Sequence, residues 1–124
     1  LLLGWSRQAI GVDLERSDRC FNAAALAQRF FHTDDRAAWC GLPAEDLRRE
    51  VLRQWIAKEA AIKWQEGSLA VDLSRWSWSG SQAYARHQDH GLQVRLQHLT
   101  VGHWWMAIAN NAGTAGQKQM VCLL

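Results

Sequence analysis

Pro43 is the only proline in the 124 residues, and it heads a stretch that reads as one long helix. It sits where a first helical turn tolerates a missing N–H, and Glu45 and Asp46 suit the positive end of the helix dipole. Gly67 supplies a stop, so a helix is expected from about Ala44 to Glu66. At about 100° per residue, Leu47, Val51, Leu52, Trp55, Ile56 and Ile62 fall within one half of the helical wheel. Glu59 projects into that apolar arc, Lys63 follows it one turn later, and Lys58 lies at the arc's other edge. An exposed Glu–Lys pair four residues apart is worth only a few tenths of a kcal/mol. Such a pair accounts for the spacing of the two charges but not for their place on the apolar side.

The rest of the chain is organised around that helix. Residues 9 to 15 alternate, with Ile10, Val12 and Leu14 to one face and Gly11, Asp13 and Glu15 to the other, the pattern of a half-buried strand. Asn22 to Phe31 has apolar helical spacing, and Thr33, Asp34 and Asp35 read as the cap and acidic first turn of a brief helix through Trp39. Ser68 to Leu73 is compatible with a short strand, and residues 74 to 91 read as an exposed, irregular excursion. Gly91–Leu99 and Val101–Ala109 form two β-rich runs, most simply a hairpin. The fold class expected is α+β, a small antiparallel sheet packed on helices in a single domain spanning residues 1 to 124, with 111 to 124 as a frayed tail.

Composition narrows the function classes. Fourteen Lys and Arg against twelve Asp and Glu leave +2, too little to indicate a nucleic-acid partner. The longest apolar run, Trp104 to Ala109, is far shorter than the roughly 20 residues that span a bilayer, so no membrane partner is expected. Cys20, Cys40 and Cys122 form no close pair, which disfavours a disulfide framework or structural zinc and fits three small buried hydrophobes in a reducing, cytoplasmic setting. The opening Leu1-Leu2-Leu3-Gly4 reads as cut from something longer rather than as a signal peptide.

Asp13 and Glu15, two apart on a strand, share a face with Cα atoms about 6.6 Å apart. Two such carboxylates repel unless water, a basic side chain or a metal ion stands between them. A hard cation such as Mg²⁺ takes oxygen ligands and keeps waters, leaving room for a substrate phosphate. If the strand packs on the helix, Glu59 adds a third carboxylate, with Lys58 and Lys63 close by to meet phosphate. That layout suits transfer or cleavage at a pyrophosphate. By contrast, His87, Asp89 and His90 fall in the loop-like excursion and offer no further paired ligands. Trp76, Trp78, Trp104 and Trp105 are expected to cover the core.

Gly11-Val12-Asp13-Leu14-Glu15 and Trp55-Ile56-Ala57-Lys58-Glu59-Ala60-Ala61-Ile62-Lys63 resemble the two signature segments of 4′-phosphopantetheinyl transferases. They stand in the family's order, with 46 positions from Asp13 to Glu59. Arg29-Phe30-Phe31 and Trp105 to Ala109 are weaker echoes, and the resemblance covers about residues 9 to 110. It implies one half of a two-half pseudo-dimeric fold, and an enzyme of the holo-[acyl-carrier-protein] synthase type. Such enzymes move the phosphopantetheine arm of coenzyme A to a serine of an acyl or peptidyl carrier protein, with Mg²⁺ required, in fatty acid, polyketide or nonribosomal peptide synthesis. By motif position Asp13, Glu15 and Glu59 would hold Mg²⁺, Glu59 would accept the serine proton, Lys63 would serve the departing phosphate, and Lys58 and Lys63 would bind the pyrophosphate. Arg29, Arg36, Arg48, Arg49 and Arg53 are candidates for guiding an acidic carrier.

Two departures qualify the match. No histidine precedes the Asp13 strand and no first half precedes Leu1, so either an amino-terminal half is missing or the chain self-associates to complete a cleft. The same features motivate a competing reading, a non-catalytic module that keeps the fold and binds a carrier. A pyrophosphate-cleaving hydrolase is the third reading.

Overall fold

The computed structural model describes residues 1–111 and 118–124. A five-stranded antiparallel sheet is crossed by one long helix, and a separate two-stranded ribbon is formed by the two ends of the chain. In chain order the elements are β1 (Leu2–Ser6), β2 (Ile10–Arg16), α1 (Ala23–Phe30), α2 (Thr33–Ala38), α3 (Ala44–Gln65), α4 (Leu69–Asp72), β3 (Trp76–Ser77), β4 (Tyr84–His87), β5 (Gln93–Val101), β6 (Trp104–Asn111) and β7 (Gln119–Leu123). The main sheet has the order β2-β6-β5-β4-β3, and β1 pairs with β7. This is the α+β class expected. Among the described residues, no helix is long and apolar enough to cross a membrane.

Local chemistry explains the helix boundaries. The Asn22 side chain accepts from the Ala25 N–H at 3.0 Å and opens α1. α2 is capped one residue earlier than Thr33, by His32, whose Nδ1 accepts from the Asp34 N–H. α3 ends one residue sooner than expected, because Glu66 itself takes the left-handed conformation at φ 59°. The Gly67 N–H then closes on the Ile62 carbonyl at 2.9 Å, so the glycine follows the turn rather than making it.

β2 is covered on both sides. The Gly11/Asp13 face lies under α3, while Val12 and Ile10 meet β1 at Gly4. The side reading as polar is therefore the side the long helix covers, where the alternation alone suggested an outward face. Small residues make the approach close: Ala57, Ala60 and Ala61 of α3 and Ala107 and Ala109 of β6 are fully buried in one core cluster. A Cβ placed on Gly11 would lie 1.9 Å from the Ala60 carbonyl oxygen and 2.5 Å from the Trp64 nitrogen.

Five expectations are corrected. Residues 69 to 72 are helical rather than extended, tied by the Asp72 carboxylate to the Ser68 N–H at 2.8 Å. The excursion from 74 to 91 contains β3 and β4, and Trp76, Trp78 and His87 within it are buried. The tail expected to fray includes β7, which β1 holds in register from Leu2–Leu123 to Ser6–Gln119; residues 112–117 lie outside the described residues. Cys20 and Cys40 are exposed and Cys122 is half-buried, so the cysteines are not core residues. Of the tryptophans, Trp76 and Trp78 do cover the core, whereas Trp104 is exposed.

Because backbone atoms block the Gly11 position, Gly11→Ala is expected to destabilise the chain by about 3 kcal/mol in urea unfolding.

Candidate active site

The approach of α3 to β2 decides which side chains meet. Asp13 projects from the middle of β2, in register with Ala107, and its side chain is 8 % exposed. Glu59 and Lys63 descend from successive turns of α3 onto it. The Lys63 ammonium donates to Asp13 Oδ1 at 2.7 Å and lies 3.7 Å from Glu59 Oε2. The other carboxylate oxygen of Asp13, Oδ2, is buried with no hydrogen-bond partner. Glu15, next on the same face, is in register with Trp105 and accepts from Arg19 Nη1 at 2.6 Å.

The electrostatics follow from this crowding. Burial, followed by the neighbouring Asp13 charge, pushes the Glu59 carboxyl up from 4.5 to about 7. Glu15 is also raised, chiefly by burial, with Arg19 pulling the other way. Burial opposes the charge on Lys63, but its hydrogen bond to Asp13 and the two carboxylates outweigh it and the ammonium is strengthened. The site thus holds more negative charge than its lysine balances, in a partly desolvated setting.

The loop leaving β2 is fixed by α3 as well. Arg48 donates to the carbonyls of Ser17 at 2.7 Å and Arg19 at 3.0 Å while paired with Glu45. The Ser17 N–H bonds the His103 carbonyl at 2.7 Å. Arg19 is thereby presented to Glu15. No local pattern marks that contact, since Arg19 lies beyond the strand's alternation.

Lys58 goes elsewhere. Its side chain is 1 % exposed, its ammonium donates to Asp35 Oδ2 at 2.8 Å, and it lies 4.4 Å from the centre of the Phe31 ring. Burial lowers its pKa, with Asp35 opposing. The structure therefore joins Asp13, Glu59 and Lys63 directly, places Glu15 beside them on Arg19, and ties Lys58 to α2.

Two groupings bear on metal binding. Asp13, Glu15 and Glu59 are all oxygen donors, and the unpartnered Asp13 Oδ2 suits a hard cation. As placed, the three do not draw to within 4.8 Å of one another, whereas ligand atoms of Asp72, His87 and His90 do. That second group has an internal explanation. His87 Nδ1 accepts the Asp89 and His90 N–H groups, so its proton is on Nε2, donated to Asp72 Oδ1 at 2.8 Å. A metal at Nε2 would have to remove that proton and break the bond to Asp72. Asp72 and His87 form a buried structural pair, a contact the sequence spacing of 87, 89 and 90 did not reveal.

Carboxylates and a lysine thus gather where a strand of this α+β domain meets its covering helix. The family model for the 4′-phosphopantetheinyl transferase superfamily matches residues 9–109, and the chain belongs to that superfamily. No individual curated protein matches it.

Two outcomes are expected. Between pH 4.5 and 7 the folded chain retains a proton on Glu59 that the unfolded chain loses, so stability falls as pH rises through that window. Glu59→Gln should flatten this dependence when urea midpoints are compared across pH in a chelating buffer. Asp35→Asn, which strands the buried Lys58 ammonium, should cost about 3 kcal/mol in urea unfolding, and Lys58→Met less than that.

Proposed function

We propose that the protein is a Mg²⁺-dependent 4′-phosphopantetheinyl transferase of the holo-[acyl-carrier-protein] synthase type. Its donor is coenzyme A, and its acceptor is a serine of an acyl or peptidyl carrier protein in the cytoplasm. The observation that carries this reading is the Lys63 bridge between Asp13 and Glu59 within the matched segment. In the reaction the serine oxygen forms a bond to the phosphorus that carries the pantetheine arm, the bond to the second phosphate breaks, and 3′,5′-ADP leaves.

Asp13, Glu15 and Glu59 would hold Mg²⁺, which when bound offsets the pyrophosphate charge and polarises its oxygens. Glu59, one turn before Lys63 and facing Asp13, would take the serine proton directly or through a water. Lys63 remains charged and stands one helical turn away, able to meet the departing phosphate. Arg19 holds Glu15 toward the site side of the loop. Lys58 acts by positioning: its anchor on Asp35 and Phe31 fixes the α3 turn that presents Glu59. Of the basic residues considered for the carrier, Arg29 and Arg36 belong to α1 and α2, while Arg48 is engaged with Glu45 and the β2 loop.

Incubating the chain with coenzyme A, Mg²⁺ and a panel of apo-carriers should add the mass of the phosphopantetheine arm to a carrier serine. Asp13→Asn and Glu59→Gln should each lower the rate by about 100-fold or more, a loss typical of removing a group that acts on transition-state charge. Carrier binding without mass gain, unaffected by Mg²⁺ and coenzyme A, would favour the non-catalytic module. Release of 3′,5′-ADP without any carrier would favour a hydrolase.

A further inference from the structure

A cavity of about 450 Å³ opens between the first half of α3 and the β5–β6 hairpin, separate from the carboxylate cluster. Its wall is Trp105, whose register partner on β2 is Glu15. The volume falls in the range of pockets that take small organic ligands. We propose that this cavity binds a small organic anion, a phosphate or carboxylate carried on a flat apolar body.

The basic groups around it are restrained by aromatic faces. Arg49 lies with its guanidinium 5.3 Å from the centre of the Trp105 ring and has no hydrogen-bond or ion-pair partner among the described residues. Arg53 stacks over Trp78 at 5.1 Å and donates one bond, to the Gly80 carbonyl at 2.9 Å, leaving its other N–H groups available. Stacking restrains both forks, so less freedom is lost when they close on an oxyanion.

His98 supplies the second, independent sign. Its Nε2 is shut away from solvent with no hydrogen-bond partner, and its ring lies flat on Trp78 at 4.6 Å and 15°. Burial, then the Arg53 charge, lowers its pKa to about 4, so near neutral pH the ring is uncharged and adds a flat, neutral face to the cavity wall. Glu50 also lines the cavity, so with two arginines and one carboxylate its formal charge is +1. Ile56 and Met106 supply apolar surface against which a ring can lie. The combination selects an anion with an apolar body over either feature alone.

The test uses the full chain with phenyl phosphate, benzoate, inorganic phosphate and neutral benzyl alcohol as probes, followed by calorimetry and by the Trp105 indole N–H signal, assigned with Trp105→Phe. The expected result is saturable binding of phenyl phosphate or benzoate that shifts the Trp105 signal, with inorganic phosphate and benzyl alcohol at least tenfold weaker. Whichever aryl anion binds more tightly identifies the headgroup. Arg49→Gln should weaken binding at least tenfold, Arg49→Lys should recover only part of it, and Lys63→Gln should leave it intact. Absence of saturable binding up to about 10 mM overturns the proposal. Equal binding of benzyl alcohol, or loss in Lys63→Gln but not in Arg49→Gln, overturns it too. Because the readouts need neither carrier nor coenzyme A, failure here is distinguishable from failure of the transferase reading.

Discussion

The structure depends on how closely α3 lies against β2 at Gly11. Helices ordinarily keep a side-chain layer between their backbone and a sheet, but here a carbonyl of α3 reaches the strand itself, with room only for a hydrogen on Gly11. The alanines of α3 and β6 permit this by contributing almost nothing to the thickness of the interface. Longer side chains at its edge then overlap. Asp13 from below and Glu59 and Lys63 from above meet within hydrogen-bond range because the residues beside them are small. The site is thus a consequence of packing: a thicker interface would lift the two helical charges off the strand carboxylate.

Buried charge is handled in two ways in this fold. Lys58 with Asp35, and His87 with Asp72, are closed pairs in which each partner's charge or polar atom is met at 2.8 Å. Desolvation opposes such pairs, and their direct bonds offset it. The Asp13, Glu15 and Glu59 group is open instead. It sets three carboxylates against Lys63 and Arg19, leaves Asp13 Oδ2 unpartnered, and raises the Glu59 carboxyl toward neutrality. Closed pairs hold α2 and α4 in place. The open group has binding capacity left over, as sites with perturbed titratable groups often do.

What could be read from the sequence divides along the same physical line. Asp13 and Glu15 were legible as neighbours on one strand face, and Glu59 and Lys63 as neighbours on one helix face, but the alternation alone did not show that α3 covers the strand's polar side. The charge inside the α3 apolar arc was the sign that something other than solvent met it. Contacts set by distant parts of the chain were not legible. β1 and β7 pair across nearly the whole sequence, and no local pattern encodes that register. Lys58 shares the α3 motif with Glu59, yet only the placement of α1 and α2 over one flank decides that it meets Asp35 and Phe31 rather than the carboxylates. The segment from Trp76 to Trp78 did carry a signal, a Trp-Ser-Trp alternation with both rings buried and the serine between them exposed, outweighed by its Gly and Ser neighbours.

The charge arrangement along α3 gives a last step. The helix dipole acts within the first and last turns, so Lys63, in the last turn of α3, is well placed, Arg48 and Arg49 stand just past the first turn, and Arg53 stands near mid-helix. Arg48 is compensated by Glu45 and two loop carbonyls. Arg53 meets one carbonyl and an aromatic face, and Arg49 an aromatic face and the charge of Glu45 one turn before it. Arg49 and Arg53 border the cavity, each restrained by an aromatic face, with the flat ring of His98 in the same wall. The two ends of α3 are then alike in kind: at each, side chains that intramolecular contacts do not satisfy face a space where an external ion can.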